Sequence, residues 1–161
     1  ALLLALAACA SPTSGTGGAP VYVPANASPP AIAMASNELV GRVWQWQRTD
    51  LPGGKSVSAA SPERYTLAFQ PGGRVLLRAD CNRGNGSYEL NGNAMTMGPA
   101  ATTKMGCPPD SQDGEFLRQL GQVTSFGTTG NELALTLRDD GYSWEFHSID
   151  GTVKDAGSYS C

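Results

Sequence analysis

The amino-acid sequence predicts a mainly-β fold, a small antiparallel barrel of about eight strands with one inserted helix. Three observations lead there. Apolar and polar residues alternate with a period of two through most of residues 38–149, the pattern of strands with one buried face. Turn signals rich in Gly, Asn and Asp separate the alternating runs, as antiparallel hairpins require. A single segment carries apolar residues at helical spacing. Strands of this number and length close on themselves, which removes the edges that invite aggregation.

The first run places Trp44 and Trp46 on one face and Val43, Gln45 and Gln47 on the other. Tyr65, Leu67 and Phe69 share a face of the next run, which ends in the turn signal Gln70-Pro71-Gly72-Gly73. Val75, Leu77, Ala79 and Cys81 then alternate against Arg74, Leu76, Arg78 and Asp80, which puts Cys81 inward at a strand end. Residues 82–86 read as a corner, because Gly84 and Gly86 accept positive φ and Asn85 tolerates it; Asp80 and Arg83 are placed to pair there or to hydrogen-bond that corner. Tyr88 and Leu90 resume the inner face and lead to Asn91-Gly92, a strong short hairpin signal, after which Met95 and Met97 continue. A run over about 122–126 and the series Leu133, Leu135, Leu137 follow. Asp139-Asp140-Gly141 turns the chain, and Tyr142, Trp144 and Phe146 return. The helix falls between these halves. Pro108-Pro109 precede a capping Asp110 or Ser111, and Phe116, Leu117 and Leu120 stand at helical spacing. Asp113 and Glu115 lie near its start, where the helix dipole favours negative charge.

The opening apolar run, Leu2 to Ala8, is far shorter than the roughly 20 residues that span a bilayer. Residues 1–8 read as the end of a secretory signal. Leu6-Ala7-Ala8-Cys9 resembles a bacterial lipobox, which implies cleavage before Cys9 and lipidation of Cys9. Several acyl chains on one residue make a stable membrane anchor. Ala10, rather than an acid, follows Cys9, which fits the outer membrane. Residues 9–37 hold Pro12, Pro20, Pro24, Pro29 and Pro30 among small uncharged residues, too little apolar surface to offset the entropy of ordering. As a flexible tether they reach about 30 Å root-mean-square. Residues 150–161 read as a tail. The formal net charge of −3 and the lack of a basic stripe disfavour nucleic acid as a partner. Four cysteines behind a secretory start point to an oxidising compartment. With Cys9 lipidated, Cys81, Cys107 and Cys161 leave one cysteine over.

The stretch from Asp80 to Pro108, DCNRGNGSYELNGNAMTMGPAATTKMGCP, resembles the META domain family, that of the HslJ-type heat-shock lipoproteins. The matching elements are Cys81-Asn82-Arg83, Gly86-Ser87-Tyr88 and Thr103-Lys104-Met105-Gly106-Cys107, in that order and with a hairpin between the last two. Upstream, LVGRVWQWQ looks like the family's opening strand, and residues 115–137 look like its helix and following strands. The resemblance covers about Leu39 to His147. It implies a lipocalin-like barrel and a stress-related envelope lipoprotein, with Asn82, Arg83, Gly86, Tyr88, Thr103 and Met105 as motif residues. It carries over no biochemical activity.

Cys81 and Cys107 suit a disulfide, a pair of metal ligands or reactive thiols. A bridge closing about 26 residues stabilises by about 3.5 kcal/mol in the loop-entropy picture, which fits a small secreted barrel. Zinc binding and dithiol redox chemistry favour a close pair such as Cys-x-x-Cys, and the sequence has none. The disulfide is therefore expected, and neither a metal nor a cofactor is. Gly84-Asn85-Gly86 lacks the third glycine of a dinucleotide loop and the Lys-Ser/Thr of a phosphate loop, and a strand follows it. His147, the single histidine, alternates with Phe146 and so points to solvent beside Ser143 and Glu145. No Gly-x-Ser-x-Gly elbow supplies a nucleophile for it to activate. The chain is thus expected not to be an enzyme.

Trp44, Trp46, Tyr65, Phe69, Tyr88, Trp144, Met95 and Met97 either fill the barrel or line a cavity, since barrels of this size do both. Two functions follow. One is an envelope lipoprotein, held at the outer membrane by lipid on Cys9 and acting on a protein partner in the periplasm. The alternative is a binding module with a small apolar ligand inside the barrel. Fold alone does not choose between them.

Overall fold

The structure is a computed structural model that describes residues 37–138 and 142–149. The expected lipidation site Cys9, the tether behind it, the turn at 139–141 and the tail with Cys161 lie outside the described residues.

The chain runs through β1 (Val43–Leu51), β2 (Lys55–Ser58), β3 (Tyr65–Gln70), β4 (Arg74–Ala79) and β5 (Asn82–Asn91). It continues as β6 (Ala94–Met97), β7 (Ala101–Thr102), helix α1 (Asp113–Leu120), β8 (Val123–Thr129), β9 (Glu132–Leu137) and β10 (Ser143–Ile149). Around the barrel the order is β1, β3, β4, β5, β6, β8, β9, β10, all antiparallel. The circuit closes where β10 pairs with β1, from Val43 opposite Ile149 to Asp50 opposite Ser143. The predicted barrel and its inserted helix are therefore present. Two short strands are additional: β2 pairs with the second half of β1, and β7 with β5.

Burial follows the predicted alternation. Trp44, Trp46, Tyr65, Leu67, Phe69, Val75, Leu77, Leu133, Leu135, Trp144 and Phe146 are all buried. The outer face is not wholly polar, because Val43 and Ala68 are buried there beside Leu76 and Ile149. Inside, the aromatic side chains pack on one another. Phe116 reaches in from α1, its ring centre 5.0 Å from that of Trp144, 5.6 Å from Tyr65 and 6.0 Å from Trp46. Trp46 meets Tyr65 edge-on at 5.4 Å, and Trp144 meets Phe146 at 4.7 Å. Such pairs contribute roughly 0.5–1.5 kcal/mol each beyond their area burial. These rings, offered by the sequence as either filling or lining, pack on one another in the interior.

Two expectations in the middle of the chain are overturned. The corner after β4 is not at 82–86: Ala79 pairs with Asn82, so the turn is the two residues Asp80 and Cys81. Asp80 takes φ 57°, the left-handed region that Asp enters more readily than most residues. That conformation reverses the phase of alternation, so Asp80 is buried and Cys81 is only half-buried. Gly84 and Gly86 lie inside β5 at ordinary φ. What they supply is space. A Cβ on Gly84 would stand 2.2 Å from the Ala101 carbonyl oxygen, and one on Gly86 3.4 Å from that of Pro99. The chain leaving β6 crosses here, with residues 98–100 opposite 86–87 before β7 pairs with β5 again.

The helix start also differs from the expected capping. Gln112, not Asp110 or Ser111, is the residue before α1, and its side chain makes no cap. Ser111 still contributes, its hydroxyl accepting the Asp113 N–H at 3.3 Å. Asp113 and Glu115 do lie in the first turn, as the dipole favours.

Candidate functional site

The motif residues gather at the end of the barrel where β4 turns into β5. The turn itself is held by charge. The Asp80 carboxylate forms an ion pair with Arg64, and its N–H donates to the Arg64 carbonyl at 2.7 Å. Arg78 Nε donates to the Asp80 carbonyl at 3.0 Å. A carboxylate this deep needs such partners, because burying an unpaired charge is strongly unfavourable. The sequence offered Asp80 and Arg83 either pairing or hydrogen bonding here; both hydrogen-bond around this corner, and Asp80 also pairs with Arg64. The Tyr65 hydroxyl lies 3.5 Å from Asp80 Oδ2 and accepts the Gln112 N–H at 2.8 Å, which links the turn to the start of α1.

The disulfide expected between Cys81 and Cys107 is present, with an S–S distance of 2.07 Å and Cα atoms 5.6 Å apart. It ties the turn to the loop 103–107. Asn82, 4 % exposed, fixes the same loop by hydrogen bonds. Its Oδ1 accepts from the Thr103 hydroxyl at 2.9 Å and from the Met105 N–H at 2.8 Å. Its Nδ2 faces the Met105 carbonyl at 3.3 Å, Cys107 Sγ at 3.2 Å and Asp113 Oδ2 at 3.3 Å. A carboxamide has two lone pairs and two N–H groups, so this side chain is saturated. Arg83 adds main-chain contacts: its carbonyl accepts the Thr103 N–H at 2.9 Å, and its N–H donates to the Thr103 hydroxyl at 3.1 Å. The Met105 main chain is thus held on both sides, while the residue as a whole is 48 % exposed.

Not every motif residue joins this cluster. Gly86 sits midway along β5, where it admits the chain at 99–100. Tyr88 lies toward the opposite end of the barrel. Its hydroxyl donates to the Gln70 carbonyl at 2.9 Å, its N–H to the Gly73 carbonyl at 2.7 Å, and its ring meets Phe69 edge-on at 5.0 Å. Burial pushes its phenol pKa up.

Sequence reasoning missed several residues that complete the site. Gln112 Oε1 accepts the Ala60 N–H at 2.8 Å and Nε2 donates to the Ser58 carbonyl at 3.2 Å, which joins β2 and its following loop to α1. Gln119 is buried on the helix face that carries Phe116 and Leu120, where the Thr49 hydroxyl donates to it at 2.9 Å. An amide in an apolar helical stripe was the available signal for it. Gln119 also donates to Glu115 at 2.6 Å, and Arg118 hydrogen-bonds Glu115, which holds that carboxyl below its usual range.

Elsewhere, His147 is exposed on the outer face, as expected, with Nε2 3.7 Å from Glu132. Beside it Arg48 bridges Asp50 at 3.1 Å and Glu145 at 3.0 Å, along a cleft of about 380 Å³. A second cleft, about 310 Å³, runs between residues 97–102 and Leu117, Leu120 and Gly121. Among the described residues, no three His, Cys, Asp or Glu side chains are grouped closely enough to hold a metal. No helix among them is long and apolar enough to cross a membrane.

Comparison with known proteins gives fold and family. One similar structure is that of a protein from Burkholderia xenovorans, with a TM-score of 0.62 and 22% identity, covering 84% of this chain and 99% of that one. Another is a DUF4847-family protein from Bacteroides vulgatus, with a TM-score of 0.54 and 11% identity, covering 72% of this chain and 98% of that one. At these identities the likeness is one of fold. No curated protein matches the chain. The META domain profile matches residues 37–153, a span that contains the Cys-Asn-Arg turn, the disulfide and the loop it secures, and the chain belongs to the META domain family.

Proposed function

We propose that this protein is a non-catalytic envelope lipoprotein, anchored at the outer membrane by lipid on Cys9 and acting through protein contacts in the periplasm, with a role in stress. The observation that carries this reading is the placement of the exposed apolar side chains. Met105 and Val57 are the large apolar residues exposed among the described residues. Both lie at the disulfide end, connected through Ser58, Gln112, Asp113 and Asn82. The chain enters the barrel at the other end, where Val40 bridges to Phe69 and the Gly41 N–H donates to the Phe69 carbonyl at 3.3 Å. A flexible tether from a lipidated Cys9 would join the barrel at that end and leave the Met105 face clear of the attachment point. The packed aromatic interior speaks against the other reading, a small apolar ligand inside the barrel, and the Asn82 and Thr103 side chains are engaged with each other.

Two measurements test the proposal in bacterial cells. Labelling with an alkyne fatty acid should mark the protein, and Cys9→Ser should abolish the label. A photoreactive residue at position 57 or 105 should yield a discrete crosslinked species, whereas one at exposed Arg74, near the opposite turn, should not. An unlabelled protein, or crosslinks that do not distinguish these positions, sinks the proposal.

A further inference from the structure

We infer that Met105 is a modification site: it is the thioether of this domain that a two-electron oxidant of the hypochlorous acid or peroxide class converts first to the sulfoxide. The inference rests on how the fold distributes its oxidisable groups. The Met105 N–H and carbonyl are both engaged by the buried Asn82 amide, at 2.8 Å and 3.3 Å. The loop cannot turn this side chain inward without breaking that pair of contacts. Its neighbours give no cover, since Lys104 and Gly106 are exposed and open space surrounds the Cβ position of Gly106.

Among the described residues the competing groups are shielded or already oxidised. Met95 is 1 % exposed, and Met97 is half-buried against the core. Trp44, Trp46 and Trp144 are fully buried. Thiolates react with such oxidants readily, but Cys81 and Cys107, the cysteines among the described residues, are joined to each other. With hypochlorous acid the thioether sulfur gains one oxygen and loses two electrons. Chlorine takes the electrons and leaves as chloride, and the acid's proton passes to water. The product replaces an apolar sulfur by a polar sulfoxide on the face proposed above for protein contact. Only that consequence rests on the proposed function; the order of reaction does not.

The test uses the full chain with its disulfide intact, any free thiol blocked by alkylation, and hypochlorous acid below one equivalent, with peptide mass mapping of single-oxygen gains. Met105 should be modified several-fold faster than Met97 and Met95, with no fall in the thermal midpoint. In concentrated urea the three rates should converge. Met105→Leu should remove the fast oxygen gain and leave the slow ones unchanged. The inference is overturned if Met95 or Met97 keeps pace in the folded protein. It is equally overturned if Met105 still leads in urea, or if the sulfoxide lowers the midpoint. Failure to find a crosslinked partner at position 105 would remove the contact reading and leave this rate order standing.

Discussion

Where β4 turns into β5, the barrel end is fastened by polar contacts: a buried ion pair, a disulfide and the saturated Asn82 amide. Where β3 turns into β4, at the opposite end, the fastening is the Tyr88 ring on Phe69, with two hydrogen bonds from Tyr88 to main-chain carbonyls. Both ends are ordered, but they constrain sequence differently. Apolar packing asks for volume and shape, which several side chains satisfy. A buried hydrogen-bond network asks for particular donors and acceptors, because each one left unmatched costs about 1–3 kcal/mol. The spelled-out motif Cys-Asn-Arg and Thr-x-Met-x-Cys therefore falls at the polar end. There, the loop 103–107 has no apolar side chain of its own in the core to hold it.

The contrast is broken most forcefully at its common support. Phe116→Ala removes the ring that α1 inserts between Trp46, Tyr65 and Trp144, and should lower stability by about 3–5 kcal/mol in urea unfolding. A loss under about 1 kcal/mol would mean the interior is not packed as described. Replacing Cys81 and Cys107 by Ser should cost about 2–4 kcal/mol. Hydrogen exchange should then quicken in residues 103–107 and at the start of α1, and stay unchanged at the turn 70–73. Equal quickening at both turns would show that the ends are not independent.

Asn82→Ala leaves the Met105 N–H and the Asp113 carboxylate short of a partner and should cost about 2 kcal/mol, again read locally in the loop. The smallest effect belongs to the apolar end. Tyr88→Phe keeps the stack on Phe69 and loses one hydrogen bond, about 1 kcal/mol. It should also change the alkaline limb. Burial raises the Tyr88 pKa in the fold, so its contribution is intact below the unfolded value of about 10 and is lost as pH rises through the folded value. The variant should show a shallower loss of stability above that pH; an unchanged slope would count against the raised pKa.

Most of the barrel was legible because its strands bury one face, so period-two alternation reports directly on packing, as in Leu133-Leu135-Leu137 and Trp144-Phe146. The disulfide pair and the family were legible from Cys81, Cys107 and the motif around them. The Asp80 turn was not. A single residue at positive φ shifts the phase of everything beside it, and alternation carries no record of φ. The roles of Gly84 and Gly86 were misread for a related reason: glycine serves conformational freedom or close approach, and only the neighbouring chain at 99–102 distinguishes them. β2 eluded the pattern because all four of its residues are exposed. Gln112 acts on segments far away in sequence, Ser58 and Ala60, so nothing local marked it, and Asp113 was marked only as a first-turn acid, not as a partner of Asn82.

Closure between β1 and β10 has a consequence for the order of events during folding. The first strand of the circuit waits for the last, since residues 43–50 find their partners only at 143–149. Contacts this distant in sequence form slowly, because the intervening chain must be gathered first. Until then β1 and β9 each present an open edge, a template for pairing with another chain. A chain emerging start-first would carry those two edges for the whole time needed to deliver β10. The interval before closure, rather than the finished barrel, is where this protein is most exposed to aggregation.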